Sequence, residues 1–253
     1  MSVREYVQRL QETPGDDSAH LEMDRGKEID YLAMAEGRLQ RIMDSIPVRS
    51  GPTRLLDVGT TPFTLLIKET YPHYDVWTLD RTALLRDRCR LGGVELRACD
   101  LDNSLFPFDD GFFDVVVFTE VLEHVFAPPT GVLREVKRIM APGGRLILGV
   151  PNIARLSKRL RLLFGASPLP PADHQMNKDW VHGHGHIHEY TRSEIVSLCR
   201  SIDLPATSVR MLSPNPWDVL RGRLKVSFKR FVYICLVRLF PQFRDHIHIE
   251  CCK

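Results

Sequence analysis

The chain has 253 residues, 43% of them hydrophobic and 26% charged, which is enough apolar material for one large soluble domain. Its formal net charge of +2 at pH 7 does not indicate nucleic-acid binding, and its six scattered cysteines form no CxxC pair of the kind that marks a zinc or redox site. Neither a signal peptide nor an apolar run of membrane-spanning length is present, which predicts a cytoplasmic protein.

The first fifty residues precede the regular part of the chain. Residues 1–25 are mostly polar and predict a loosely held arm. From Gly26 to Ile46 apolar residues recur near helical spacing, which predicts a helix that leads into the domain.

Short apolar runs then alternate with helical segments, which predicts an α/β fold. Runs rich in Val, Ile and Leu are typical of parallel strands that are covered on both faces, and the helices between them predict a doubly wound sheet. In chain order the strands are RLLDVG, YDVWTLD, VELRACD, FDVVVFTE and GRLILGVP, and the helices are PFTLLIKETY, TALLRDRCRL and GVLREVKRIM.

The segment from Asn152 to His188 interrupts this alternation and predicts an inserted cap. A helix resumes at YTRSEIVSLCRSIDL, where Thr191 as N-cap and Glu194 three residues later predict a capping box. We therefore divide the chain into an N-terminal arm and helix (1–50), an α/β domain with the cap (51–215) and a basic, apolar C-terminal extension (216–253).

Ligands of an open parallel sheet bind beyond the carboxyl ends of its strands, so the residues there are candidates for a site. An acidic residue that ends the second strand, about twenty residues after a glycine turn, is suited to bind a ribose diol. Asp80 has this position.

Several motifs occur in a fixed order from about Arg54 to Leu204. They are LLDVGTTPF, VWTLD, ACDLDN, FPFDDGFFDVVVFTEVLEHV and LREVKRIMAPGGRLILGVPN, followed by HIHEYTRSEI. In these motifs the chain resembles the class I, Rossmann-like methyltransferases. The resemblance implies a mostly parallel, seven-stranded sheet, with S-adenosyl-L-methionine as cofactor and S-adenosyl-L-homocysteine as product.

The resemblance also implies roles for residues at the strand ends. Asp57 and the Gly59–Thr61 turn would face the methionine part of the cofactor, and Asp80 would hold the ribose hydroxyls. Asp100 would bind the adenine amino group, Leu101 would cover the adenine ring, and the end of the fourth strand would form the floor near the sulfonium. The complete predicted set is Asp57, Gly59, Thr60, Thr61, Asp80, Arg81, Asp100, Leu101, Thr119 and Glu120.

The glycine turn departs from the family pattern of acid-x-Gly-x-Gly-x-Gly, since Thr61 and Phe63 stand at the later glycine positions. One interpretation is a turn that no longer binds the cofactor. The other is a working variant, because Thr61 is a favoured N-cap and Pro62 is suited to the first helical position, so the helix can still direct its amides at a ligand. Proline removes one donor, and Gly59 is kept. We favour the working variant.

Histidines are the candidate catalytic residues, because methyl transfer to a hydroxyl needs alignment and a base. His124 lies in EVLEHV, and four histidines alternate in VHGHGHIHEY at 182, 184, 186 and 188. The run is interpreted as a divalent-metal or base cluster, or as a solvated glycine-rich loop, and His124 as a base or as a helix residue packed behind the pocket. We take His186, His188 and His124 as catalytic candidates and assign no metal ligand.

Two segments, 155–165 and 221–244, join basic and apolar residues, and the second contains no acidic residue. Such a segment can lie on an anionic membrane, here the inner face, or pack as an ordinary helix, and both alternatives stay open.

The combined prediction is a methyltransferase that methylates an oxygen atom of a small-molecule, sugar or lipid-linked acceptor, without a nucleic-acid partner. A non-catalytic relative that serves as a binding subunit is the first alternative, supported by Thr61 and Phe63. A dinucleotide-dependent oxidoreductase is the second, disfavoured by the missing glycines.

Overall fold

Seven strands form one mixed sheet in the order β3-β2-β1-β4-β5-β7-β6. The computed structural model describes residues 1–12, 25–169, 185–213 and 228–253. Neighbouring strands from β3 to β5 are parallel, whereas β7 runs antiparallel to both β5 and β6. This confirms the α/β, mostly parallel, seven-stranded prediction. The strands are β1 (Thr53–Val58), β2 (Tyr74–Asp80), β3 (Glu95–Ala98), β4 (Phe113–Thr119), β5 (Met140–Pro151), β6 (Ala206–Leu212) and β7 (His246–Cys252).

Helices cover both faces of the sheet. Along β1 and β4, neighbouring residues point to opposite faces, so Leu55 joins the core on one side and Leu56 the core on the other. The core that contains Leu55 is closed by α1 to α4, and the core that contains Leu56 is closed by α5 and α7. In the described residues the helices are α1 (Val3–Glu12), α2 (Arg25–Ser45), α3 (Pro62–Thr70), α4 (Arg86–Leu91), α5 (Pro129–Ile139), α6 (Leu156–Leu163), α7 (Arg192–Ser201) and α8 (Phe228–Leu239).

The N-terminal residues differ from the expected loose arm, because residues 3–12 are the packed helix α1. Val3, Tyr6 and Val7 follow helical spacing and are buried. The amide of Val3 also donates to Oε1 of Gln40 on α2, at 3.0 Å. Residues 13–24, the rest of the expected arm, lie outside the described residues.

The C-terminal residues are part of the sheet rather than of a separate extension. Strand β7 lies between β5 and β6, so the boundary predicted at 216 cuts through the α/β domain. The pattern HIHIECC hides this strand because His248 is polar and yet buried, with its Nε2 3.0 Å from the hydroxyl of Ser45 on α2. Of the predicted basic segment 221–244, residues 221–227 lie outside the described residues, and Phe228–Leu239 form helix α8. No helix in the described ranges is long and apolar enough to cross a membrane.

Candidate active site

In the described turn after β1, glycine is required at one position, Gly59. Gly59 has φ +88°, and a Cβ atom there would lie 3.0 Å from Cγ2 of Val121. Its amide donates to the carbonyl of Leu79 at 2.8 Å, which fixes the turn against β2. The backbone therefore passes close to the end of β2, as a cofactor loop does.

Thr61 and Phe63, which replace the later glycines, are accommodated without closing the turn. Thr61 is the N-cap of α3, and its Oγ1 accepts from the amide of Phe63 at 3.2 Å. The Phe63 side chain is 2% exposed and lies in the core beneath α3. The geometry agrees with the working variant of the turn.

Asp57 lies beneath this turn with its carboxyl group buried. Its Oδ2 accepts a 2.6 Å hydrogen bond from the Thr64 hydroxyl on α3. Burial raises the pKa of Asp57 to about 7, although the Thr64 hydrogen bond opposes the rise. The structure thus shows Asp57 bracing the turn, and its contact with the methionine part of a cofactor stays a prediction.

Asp80 ends β2 at the wall of the cavity. Its Oδ2 accepts from the Thr60 amide at 2.9 Å, and its Oδ1 accepts from the Thr82 amide at 3.3 Å. These bonds hold the carboxylate in place, and each oxygen keeps capacity for a further donor. A ribose diol fits that remaining capacity.

The loop after β3 is held on both sides of Leu101. Oδ2 of Asp100 accepts a 2.8 Å hydrogen bond from Nδ2 of Asn103. This bond is the main reason why the pKa of Asp100 lies below its usual range. Oδ1 of Asp102 accepts from the amides of Phe126 and Ala127 at 2.6 and 2.8 Å. Asp102, which the sequence analysis missed, therefore ties this loop to the segment after β4.

These strand ends enclose one cavity of about 260 Å³. The structure brings Gly59, Asp80, Arg81, Asp100, Leu101 and Glu120 of the predicted set together in its wall. Asp57, Thr60, Thr61 and Thr119 lie behind or beside that wall. The apolar part of the wall includes residues that the prediction lacked, among them Leu79, Cys99, Val121 and Val125. An acidic end and an apolar slot fit a nucleoside, so the residues present fit the implied cofactor.

Glu120 ends the cavity in a left-handed backbone conformation, with φ +58°. Its Oε1 lies 3.2 Å from Nδ1 of His246 and 3.6 Å from a guanidinium nitrogen of Arg38. Burial favours the neutral acid, but His246 and Arg38 outweigh it and hold the pKa of Glu120 below its usual range. Sequence reasoning missed both partners, because α2 and β7 bring them from distant parts of the chain.

A second acidic group, Glu123, lies in a 3-10 turn at the same end. Its side chain is 0% exposed, and neither oxygen has a hydrogen-bond partner among the described residues. Burial, reinforced by the charge of Glu120, raises the pKa of Glu123 to about 9. Its Oε1 lies 3.8 Å from Nε2 of His124 and 4.0 Å from Nε2 of His186.

The structure brings two of the three catalytic candidates together. The rings of His124 and His186 pack edge to face with centroids 5.0 Å apart, and His124 lines the cavity. Nδ1 of His186 lies 2.7 Å from Oε1 of Glu189, whose other oxygen binds Lys158. Burial opposes ionisation of Glu189, but the bonds from His186 and Lys158 outweigh it and lower its pKa to about 2.

His188, the third catalytic candidate, contacts other residues than His124 and His186 do. Its Nε2 lies 2.8 Å from Oε1 of Glu194, and its ring packs on Tyr190. The predicted capping box at the start of α7 is confirmed, since Thr191 caps the helix and Glu194 bonds back to it. The other two histidines of the run, at 182 and 184, lie outside the described residues.

The fold and this cavity define a class I, Rossmann-like methyltransferase domain. Residues 56–148 match the family model Methyltransf_11, described as a methyltransferase domain. Residues 56–148 are therefore similar to a methyltransferase domain, as the sequence motifs indicate, and this similarity supports S-adenosylmethionine as the cofactor.

Relatives agree with this assignment. The chain is 32% identical over 120 residues to a demethylmenaquinone methyltransferase of Thermus thermophilus, a match that covers 45% of this chain and 54% of that enzyme. It therefore spans about half the length of that relative. It is 27% identical over 183 residues to a ubiquinone biosynthesis O-methyltransferase of Xanthomonas oryzae, covering 69% of this chain and 70% of that enzyme. The geranyl diphosphate C-methyltransferase structure from Streptomyces coelicolor shares the fold, with TM-score 0.55, 16% identity and coverage of 99% and 97%.

Proposed function

We propose that the chain transfers the methyl group of S-adenosylmethionine to an oxygen atom of a small-molecule, sugar or lipid-linked acceptor. The observation that carries this proposal is the arrangement of the two ends of one cavity. Asp80 and Asp100 form the end suited to a nucleoside, and Glu120 and His124 form the other. The relatives named for demethylmenaquinone and ubiquinone biosynthesis support a small-molecule acceptor.

The bound cofactor supplies a methyl group on a sulfonium, which an acceptor oxygen attacks in line. The side chains of this chain bind and orient the two reactants. Asp80 would accept from the ribose hydroxyls, and Glu120, held by Arg38 and His246, lines the cavity.

His186 is the base that we propose for the acceptor proton. Glu189 is an acceptor, so Nδ1 of His186 carries the hydrogen of their 2.7 Å contact. Nε2 then presents its lone pair towards His124 and the cavity end, where it can take the proton of an acceptor hydroxyl. His188, which is engaged with Glu194, is the weaker candidate.

Calorimetric titration with S-adenosylhomocysteine tests the cofactor end. Asp80→Asn removes one acceptor for the ribose diol, and the loss of about 1.5 to 3 kcal/mol corresponds to roughly ten-fold or more in affinity. Asp75→Asn is the matched control, because Asp75 is exposed at the opposite end of the same strand. Parent-like affinity in Asp80→Asn would contradict this placement. Binding of a nicotinamide dinucleotide in place of S-adenosylhomocysteine would favour the oxidoreductase alternative.

Release of S-adenosylhomocysteine with a panel of hydroxylated acceptors tests the transfer. Removal of a general base lowers turnover by about 10²-fold or more, so we expect this loss in His186→Ala with cofactor affinity retained. Cofactor binding without turnover on phenolic, sugar and lipid-linked acceptors would instead support a non-catalytic subunit.

We also propose that the acceptor is met at an anionic membrane surface. Three consecutive apolar side chains at the end of α6, Leu162, Leu163 and Phe164, are 59%, 74% and 81% exposed. Arg159 and Arg161 lie on the same short helix. Apolar groups exposed beside basic ones are suited to the interface of an anionic bilayer.

A further inference from the structure

We infer that Glu123, His124 and His186 form a binding site for one divalent transition-metal cation, with Zn²⁺ as the best match. The side chains come from the turn after β4 and from the segment before α7, which are far apart in sequence. Their candidate ligand atoms all lie within 4.8 Å of one another. Cation binding at this site does not depend on the proposed methyl transfer.

The Glu123 carboxyl group is the first reason for a cation. It is fully buried, and neither oxygen meets a hydrogen-bond donor within the described part of the chain. A buried carboxyl group without partners is costly, and native structures compensate such groups with hydrogen bonds, opposite charges or metal ions. Both imidazoles lie within 4.0 Å of its Oε1 and could share such an ion with it.

The distances are close to those of a ligand shell. Ligands at about 2.1 Å from a tetrahedral zinc ion lie roughly 3.4 Å from one another. From Oε1 of Glu123, Nε2 of His124 lies at 3.8 Å and Nε2 of His186 at 4.0 Å. These two distances exceed the expected separation by only 0.4 to 0.6 Å, and all three candidate ligand atoms lie within 4.8 Å of one another.

The backbone and the surrounding side chains hold the ligands in place. The carbonyl of Glu123 accepts from the amide of Ile187 at 2.7 Å, which fixes the two ligand segments to each other. Nδ1 of His186 bonds to Glu189, and Lys158 holds Glu189 from the other side. Metal-binding histidines commonly donate their second ring nitrogen to a carboxylate in this way, which orients the other nitrogen towards the ion.

The ligand set indicates which cation binds. Two imidazoles and one carboxylate favour Zn²⁺ and similar ions over Mg²⁺ and Ca²⁺, which prefer oxygen ligands. Three protein ligands leave a coordination position open, and of the three His124 lines the cavity. Nε2 of His186 cannot coordinate this cation and accept a proton at the same time, so the transfer proposed above, with His186 as base, belongs to the metal-free protein.

The test is titration of the metal-stripped full chain with Zn²⁺, followed by calorimetry, and with Co²⁺, followed by its visible absorption. We expect one ion per chain and visible absorption typical of Co²⁺ with a low coordination number. His186→Ala and Glu123→Gln should each reduce affinity by about ten-fold or more, and Glu189→Gln, which removes the orienting carboxylate, by roughly 10- to 100-fold. His73→Ala is the control, because His73 is exposed and directly precedes β2, at the end of that strand opposite the cavity.

The results separate this site from a surface histidine site. No binding, or equal affinity in the parent and in His186→Ala, would overturn the inference. Equal loss in His73→Ala would also overturn it, because it would indicate adventitious binding. If Glu123→Gln does not fold, His186→Ala still decides, since its side chain is about one-third exposed (32%). S-adenosylhomocysteine binding, measured separately in the metal-stripped protein, reports on the proposed function alone.

Discussion

The buried carboxyl group of Asp57 leads to a quantitative prediction about how the free energy of unfolding depends on pH. This group lies beneath the cofactor turn, with one hydrogen bond from Thr64. Burial raises its pKa from 3.8 to about 7, so the folded state holds a proton that the unfolded chain has already lost at neutral pH. The stability that this protonated group contributes is complete below about pH 4 and is lost as the pH rises through about 7.

The size of the effect follows from the two pKa values. At about 1.36 kcal/mol per pH unit, the difference corresponds to roughly 4 kcal/mol of unfolding free energy between pH 4 and pH 8. Asp57→Asn has nearly the same shape and is neutral at every pH. We therefore expect the free energy of unfolding of the variant to rise relative to the parent by up to about 4 kcal/mol over this range.

Urea unfolding of both proteins at pH 4, 6 and 8 measures this difference. Other carboxyl groups titrate in both proteins, so their contributions cancel in the comparison. Asp203→Asn is the control, because the side chain of Asp203 is 95% exposed and should leave the pH dependence unchanged. A constant difference between Asp57→Asn and the parent at all three pH values would refute the reasoning, because Asp57 would then not titrate in this window.

Further predictions concern the turn and the surface. Gly59→Ala should weaken S-adenosylhomocysteine binding in calorimetry, because its Cβ would meet Val121 and its φ of +88° is strained for alanine. Phe63→Ala should lower the free energy of unfolding by about 3 to 5 kcal/mol through a core cavity, measured by urea titration, without improving cofactor affinity. The double substitution Leu163→Ser, Phe164→Ser should reduce co-sedimentation with anionic liposomes. Binding of the parent protein should fall as the salt concentration rises. Absence of parent binding at low salt would reject the membrane proposal.

The first five strands could be predicted from the sequence. Strands β1, β2, β4 and β5 contain apolar runs that are largely buried, whereas the mostly exposed β3 follows from its place in the alternation of strands and helices. Strand β6, ATSVRML, is mostly half-buried or exposed, so it has no such run. Strand β7 carries His248 and Glu250 among its apolar residues, and the hydroxyl of Ser45 on α2 contacts both side chains. Both strands therefore depend on tertiary contacts that local patterns do not contain.

The acidic residues of the site could be predicted because parallel strands end at one edge of the sheet. Their partners could not, since Arg38 and His246 reach Glu120 from α2 and from the last strand. Glu123 stands in the motif EVLEHV, but neither its burial nor the absence of a hydrogen-bond partner among the described residues can be read from the sequence. The signal that could have found it is the pairing of an acidic residue with His124 directly after a strand end.

The glycine turn shows why a mismatch with a motif does not by itself indicate a lost site. Glycine is required where φ is positive or where a Cβ atom would collide, and in this turn both conditions hold at Gly59. At Thr61 the backbone is extended, with φ −138°, and the side chain caps the helix. At Phe63 the side chain points into the core. Thr61 thus contributes an N-cap and Phe63 contributes core packing, while Gly59 keeps the positive φ of the turn.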